Sequence, residues 1–145
     1  YIYTTIGGAY TIARYGDFDD PNLANQSGQR LTNSPRFQGN ASVNIAQPIP
    51  GTSWNAILNT NVSYRSEVNT GSDLLPIQEQ GSIWIANAQV GLQSPNSNWT
   101  GLLWINNIND KRYNQVVFAT PFQSGNYSSF VNPERTCGLT LNYDY

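Results

Sequence analysis

Among the side chains that carry out most enzymatic and metal chemistry, this 145-residue chain holds nine carboxylates, one thiol and no imidazole. Without histidine a Ser-His-Asp triad cannot be assembled, and zinc, haem and imidazole-base chemistry lose their commonest ligand. The carboxylates are spread along the chain and no motif fixes two of them on one site, so paired acid–base work has no foothold. No glycine-rich phosphate loop occurs. The densest acidic group, Asp17, Asp19 and Asp20, has the oxygen chemistry of a cation ligand set, yet such a loop cluster is ordinarily just solvated. In Asp110-Lys111-Arg112 the acid is expected to accept backbone N–H bonds within a turn. Cys137 has no disulfide partner and is expected to be a small packing residue, and Arg65 and Arg135 are expected to make ordinary pairings near strand ends. The expectation is no catalytic residue, no cofactor, no metal ligand and no enzyme.

The elements that carry these residues follow from composition and period. Charged residues are 11% of the chain, against about a quarter in an ordinary soluble domain. Net charge is −2 with Lys and Arg scattered singly, so no basic stripe could neutralise a row of phosphates and nucleic acid is not an expected partner. No run of about 18 apolar residues is present, so no transmembrane helix is expected. A mean hydropathy of −0.45 does not exclude a membrane barrel, in which only alternate residues face lipid.

Alternation of β-branched and aromatic residues with small polar ones marks six extended stretches: Thr4 to Asp17, Arg36 to Gln47, Ser53 to Ser66, Ser82 to Gln93, Asn98 to Asn107 and Arg135 to Tyr145. The third is clearest, with Trp54, Ala56, Leu58, Thr60, Val62 and Tyr64 on one face and Asn55, Asn59, Asn61, Ser63 and Arg65 on the other. The second, fourth and sixth obey the same rule. The first and fifth are less clean, because Tyr10 and Ile12 share a face with Arg14, and Leu102 and Trp104 with Thr100 and Asn106.

A β-sandwich would alternate too, so the aromatics decide. From Trp54 to Tyr64, at about 3.3 Å per residue and a tilt near 40°, the rise along a membrane normal is about 25 Å, the height of a lipid-facing band between two aromatic girdles. Trp99, Tyr143 and Tyr145 join Trp54 on one rim, and Trp84 joins Tyr64 on the other. Connections alternate as well: long around Pro21 to Pro35, short at Pro48 to Thr52, long at Glu67 to Gly81, tight at Ser94 to Ser97, long from Ile108 to Glu134. Short periplasmic turns and long extracellular loops are the pattern of an outer-membrane barrel.

Two blocks carry a family resemblance. Trp99 to Tyr113, WTGLLWINNINDKRY, looks like a barrel strand followed by an N-[LI]-x-D-[KR]-x-Y segment, and Pro133 to Tyr145, PERTCGLTLNYDY, is similar to an ending of alternating apolar and aromatic residues. Together they resemble the C-terminal barrel region of TonB-dependent outer-membrane receptors. Glu134, between the proline and the arginine, and Cys137, where an aromatic is common, depart from the pattern. The resemblance implies an all-β chain: residues 1–145 as the C-terminal portion, the last six strands, of an antiparallel barrel of about 22 strands. By itself such a segment is incomplete. Tyr1-Ile2-Tyr3 already reads as strand, so the plug domain and the segment that contacts TonB are expected upstream and absent from this chain.

The function implied is uptake across the bacterial outer membrane: a scarce nutrient (siderophore, cobalamin or oligosaccharide) is bound at the extracellular face and imported with TonB-derived energy. The alternatives are a passive porin and a secreted carbohydrate-binding β-sandwich. Tyr113, Phe118, Phe122, Tyr127 and Phe130 are the ligand-facing loop candidates. Gly138, Leu141, Tyr143 and Tyr145 resemble a barrel-assembly signal. Expected partners are outer-membrane lipid, the barrel-assembly machinery, TonB through the missing N-terminal part, and a small-molecule nutrient.

Overall fold

Strict alternation obliges each strand to present one apolar and one polar row, and antiparallel pairing sets like rows side by side. The computed structural model describes residues 1–17 and 26–145. Its strands are β1 (Ile2–Tyr10), β2 (Phe37–Pro48), β3 (Asn55–Arg65), β4 (Val68–Asn69), β5 (Glu79–Gln80), β6 (Ile83–Gln93), β7 (Trp99–Asn106), β8 (Asn114–Ala119), β9 (Tyr127–Val131) and β10 (Thr136–Tyr143). Six of them form one antiparallel sheet in the order β1-β2-β3-β6-β7-β10. This is an up-and-down meander, and it matches the six stretches read from the sequence.

Register assembles the faces. Ile45 lies opposite Leu58, Leu58 opposite Val90, Val90 opposite Leu103 and Leu103 opposite Leu139, a continuous apolar row across five strands. The opposite face carries the Asn44–Asn59–Gln89 and Ser42–Asn61–Asn87 rows. Among the described residues no second sheet covers the apolar row: Leu58, Val90, Leu103 and Leu139 are all exposed. The only buried hydrophobic side chains among the described residues are Val68, Ile83 and Val117, all at the loop end of the sheet. A sandwich would bury the apolar row instead.

The register also resolves β7. Its apolar-face residues are Trp99, Gly101, Leu103 and Ile105, while Leu102 and Trp104 lie on the polar face opposite Gly91 and Gln89. Glycine makes room for them. A Cβ on Gly138 would collide with the Trp104 ring, whose Nε1 donates to Thr140 Oγ1 at 3.2 Å. Gly138 and Thr140 thus form the floor and the polar partner of one indole.

Three sequence expectations are corrected. The first strand ends at Tyr10 rather than Asp17: after Thr11 N–H donates to Arg36 O, a turn at 31–34 with Asn33 at φ 54° interrupts the facing limb. Among the described residues pairing resumes only as the Arg14–Arg30 bridge. The long connections, in which no extended stretch was marked, contain the β4–β5 and β8–β9 pairs. Cys137 is exposed rather than packed, because its place opposite Ile105 puts it on the uncovered apolar face.

Connections sort by length onto two ends of the sheet. At one end β2 turns into β3 through residues 49–54, where Gly51 adopts φ 77° and Ile49 N–H donates to Trp54 O. At the same end Ser94 Oγ accepts the Trp99 N–H at 3.0 Å, closing the tight 94–98 turn. The three long connections, 11–36, 66–82 and 107–135, share the other end.

Candidate functional site: the loop end of the polar face

The three long connections hold one another, and the middle one is the keystone. Gln78, on the 3-10 turn Pro76–Gln78, is fully buried. Its Oε1 accepts the Leu75 N–H at 3.0 Å, and its Nε2 donates to Asp73 Oδ2 at 3.2 Å and to Val117 O of β8 at 3.4 Å. Gly71 is required above it, since a Cβ there would collide with the Gln78 amide. On the other flank Asn33 N–H donates to Asn69 O, Thr32 Oγ1 to Gly71 O, and Arg30 pairs with Glu67 at 3.5 Å. One buried amide thus couples two loops, and a backbone bond, the Thr32 hydroxyl and the Arg30 ion pair couple the third.

The Asn107 to Tyr113 block, read as a motif in the sequence, is a clasp. Asn107 sits at φ 53°, in the left-handed region that asparagine tolerates. Its Nδ2 donates to Lys111 O and Pro133 O, its Oδ1 accepts the Lys111 N–H at 2.9 Å, and its own N–H reaches Asn87 Oδ1. Asn109 extends the ladder beyond β7 by donating to Trp84 O at 2.7 Å and accepting from Ala86 N–H. Asp110 Oδ1 accepts the Arg135 N–H at 3.1 Å, a backbone bond made across the loop base to the approach to β10 rather than within its own turn as expected. Asn132 completes the closure: its Oδ1 accepts the Tyr113 N–H at 2.7 Å and its Nδ2 donates to Lys111 O and Pro133 O. Both ends of the last loop are therefore tied at its base.

The clasp places Tyr113 over the end of β3. Arg65 Cζ lies 5.0 Å from the Tyr113 ring centroid, a cation–π contact. Both residues line a cleft of about 510 Å³ on the polar face, with Gln38, Asn40, Ser63, Ile83 and Ile85. Further down the same face a polar trough of about 290 Å³ runs past Asn44, Asn59, Asn61, Asn87 and Gln89.

The remaining ligand-facing candidates stand apart from that cleft. Phe118 and Phe130 pair at 5.7 Å between centroids on the β8–β9 hairpin, Tyr127 lies opposite Ala119, and Phe122 projects fully exposed at the tip with φ 61°. Only Tyr113 of the five lines the cleft. Ordinary pairing, expected of Arg65, is not made among the described residues: its Nε and Nη2 are buried there without a hydrogen-bond partner. Of the acidic trio, Asp17 is exposed and Asp19 and Asp20 lie outside the described residues; among the described residues no group of three potential metal-ligating side chains comes together. Gln78, Asn107, Asn109 and Asn132 were missed as positioning residues. Asn107 and Asn109 lay inside the quoted motif, whereas nothing in the local pattern around Gln78 or Asn132 distinguishes them from other loop amides.

Aromatic side chains gather at both ends of the apolar face. Trp99 and Tyr143 approach to 4.6 Å between centroids and Tyr143 and Tyr145 to 6.5 Å at the short-turn end, where Trp54 also lines the apolar surface. At the loop end Tyr64 lies 5.9 Å from Phe37 and opposite Trp84. Leu141 lies on the apolar face between these ends, opposite Gly101.

An antiparallel meander with an uncovered apolar face, a polar opposite face, long loops at one end and short turns at the other is a segment of a transmembrane β-barrel wall. No protein-family model and no curated protein matches the chain. Among solved structures, the crystal structure of the ferric yersiniabactin uptake receptor FyuA from Yersinia pestis matches with a TM-score of 0.71 and 19% identity, over 82% of this chain. The chain spans 18% of that receptor's length. The fold is the one the sequence resemblance implied.

Proposed function

We propose that this chain is the closing wall segment of an outer-membrane receptor that takes up a scarce small molecule, bound on the loop side and imported with energy delivered through TonB. The observation that carries the reading is the uncovered row Ile45, Leu58, Val90, Leu103 and Leu139, facing away from an amide-lined opposite face. Hydrocarbon is the solvent that such a face matches, and Thr60, which shares it, donates its hydroxyl to Val43 O at 3.4 Å instead of leaving it unpaired. Trp54, Trp99, Tyr143 and Tyr145 would then sit in one interfacial girdle, and Tyr64 and Trp84 in the other. The similarity to an uptake receptor supports transport over enzymatic work. The nutrient is a siderophore complex, cobalamin or an oligosaccharide, and the wall is filled by a plug supplied by other parts of the protein.

Accumulation of labelled ferric chelates, cobalamin and maltooligosaccharides is to be measured in cells carrying the full-length protein, with and without TonB. One of these probes should concentrate inside the cell against its gradient only when TonB is present. Entry that merely equilibrates, and does so equally in both strains, would replace the receptor with a passive pore.

A further inference from the structure

Arg65 is the one charged side chain among the described residues that lines the polar-face cleft. Among the described residues the ion pairs are Arg30–Glu67 and Arg112–Glu134, so no carboxylate of the described residues neutralises it. Nε and Nη2 form one edge of the guanidinium, with two parallel N–H groups spaced to meet both oxygens of a carboxylate. Those two atoms are the ones left without a partner. Leaving charged donors unsatisfied in a low-dielectric site is costly, and a planar oxyanion removes that cost.

We infer that the Arg65 edge, covered by Tyr113, is a subsite for the carboxylate of a small solute that carries an apolar body. Ile83 and Ile85 supply the apolar wall, and Asn40 and Ser63 supply donors for the remaining oxygen lone pairs. Because the edge is out of contact with solvent, the carboxylate reaches it by displacing the Tyr113 ring or by a small turn of the Arg65 side chain into the cleft. The ring exchanges a cation–π contact for a position against the solute, so Tyr113 acts as a shutter held by Asn132 and Asn107. This assignment rests on the uptake reading for its biological meaning. It narrows the solute to one bearing a carboxylate.

The test uses the full-length protein in detergent micelles and two probes of the same shape, benzoate and neutral benzamide, read by saturation-transfer NMR of the probe protons. Benzoate should bind about tenfold more tightly than benzamide, as a charge-assisted bidentate contact requires. R65Q should erase the difference, and R65K should keep only part of it, since an ammonium cannot present a fork. Heat-modifiability on gels confirms that each variant is folded; should R65Q fail to fold, R65K carries the test. Equal binding of the two probes to the wild type overturns the subsite. A wild type without preference whose R65Q variant loses thermal stability would instead assign Arg65 to a carboxylate elsewhere in the same protein. Neither result touches TonB-dependent accumulation, so failure here and failure of the uptake reading are separable.

Discussion

Asn107 holds an unusual backbone conformation and makes three side-chain hydrogen bonds to backbone atoms of the last loop. Alanine there would lose all three and strain the left-handed φ; at about 1 kcal/mol for each bond and for the strain, N107A should weaken the loop base by roughly 3–4 kcal/mol. Glycine keeps the backbone and loses only the bonds, so N107G should fall between. Trypsin cleavage after Lys111 or Arg112 in the otherwise folded protein reads the effect, because both residues are exposed and lie just past the clasp. Equal cleavage rates for wild type and N107A would show that the clasp contributes nothing to loop closure. The same logic explains what the sequence could and could not reveal about the site. Tyr113 was legible because an aromatic closes a recognisable block. The orphaned edge of Arg65 was not, because whether a cation finds a carboxylate depends on which side chains of the neighbouring strands and of the last loop, Tyr113 among them, are brought against it, and local pattern is silent on that.

At the scale of elements, β2, β3, β6 and β10 were legible because one face of each is an almost unbroken apolar row, with exceptions such as Ile57, Ile83 and Ile85 confined to the other face, and a one-residue slip would turn that row to the wrong side. β7 was ambiguous for a physical reason: Leu102 and Trp104 occupy the polar face where glycines at 91 and 138 leave space, a pairwise accommodation that no single strand displays. The small β4–β5 and β8–β9 pairs were invisible because amide side chains from distant positions hold them, not periodic burial. Face assignment makes a sharp comparison within β6, where Val90 and Gln89 are adjacent but point to opposite sides. V90R should destabilise the full-length barrel by about 2–4 kcal/mol, the cost of arginine on the lipid face near the bilayer midplane. Q89R, in the polar trough, should stay within about 0.5 kcal/mol. Denaturant midpoints in lipid vesicles decide the matter, and similar losses for both variants would mean that the two faces do not meet different solvents.

At the scale of the molecule, β1 and β10 are the outermost strands of the sheet among the described residues, while the loop end is tied together and the short-turn end is girdled by aromatics. An open strand edge with an alternating apolar row is a template for strand addition, whether by a neighbouring strand of the same barrel or by assembly machinery. β10 combines that edge with the Trp99–Tyr143 contact and with Tyr145 fully exposed beyond it. Tyr143 is anchored within the sheet by its ring partner, an interaction of about 0.5–1.5 kcal/mol, whereas Tyr145 contributes little to the folded wall itself. If Tyr145 serves recognition before closure, its deletion should lower the amount of folded full-length protein in the outer membrane several-fold while leaving the denaturant midpoint of the surviving fraction within about 0.5 kcal/mol of wild type. Y145F should retain assembly, because the aromatic ring rather than the hydroxyl would be read. Quantifying heat-modifiable protein in membrane fractions separates the two contributions: unchanged abundance after deletion removes the assembly role, and an abundance loss matched by an equal loss of stability returns Tyr145 to the girdle alone.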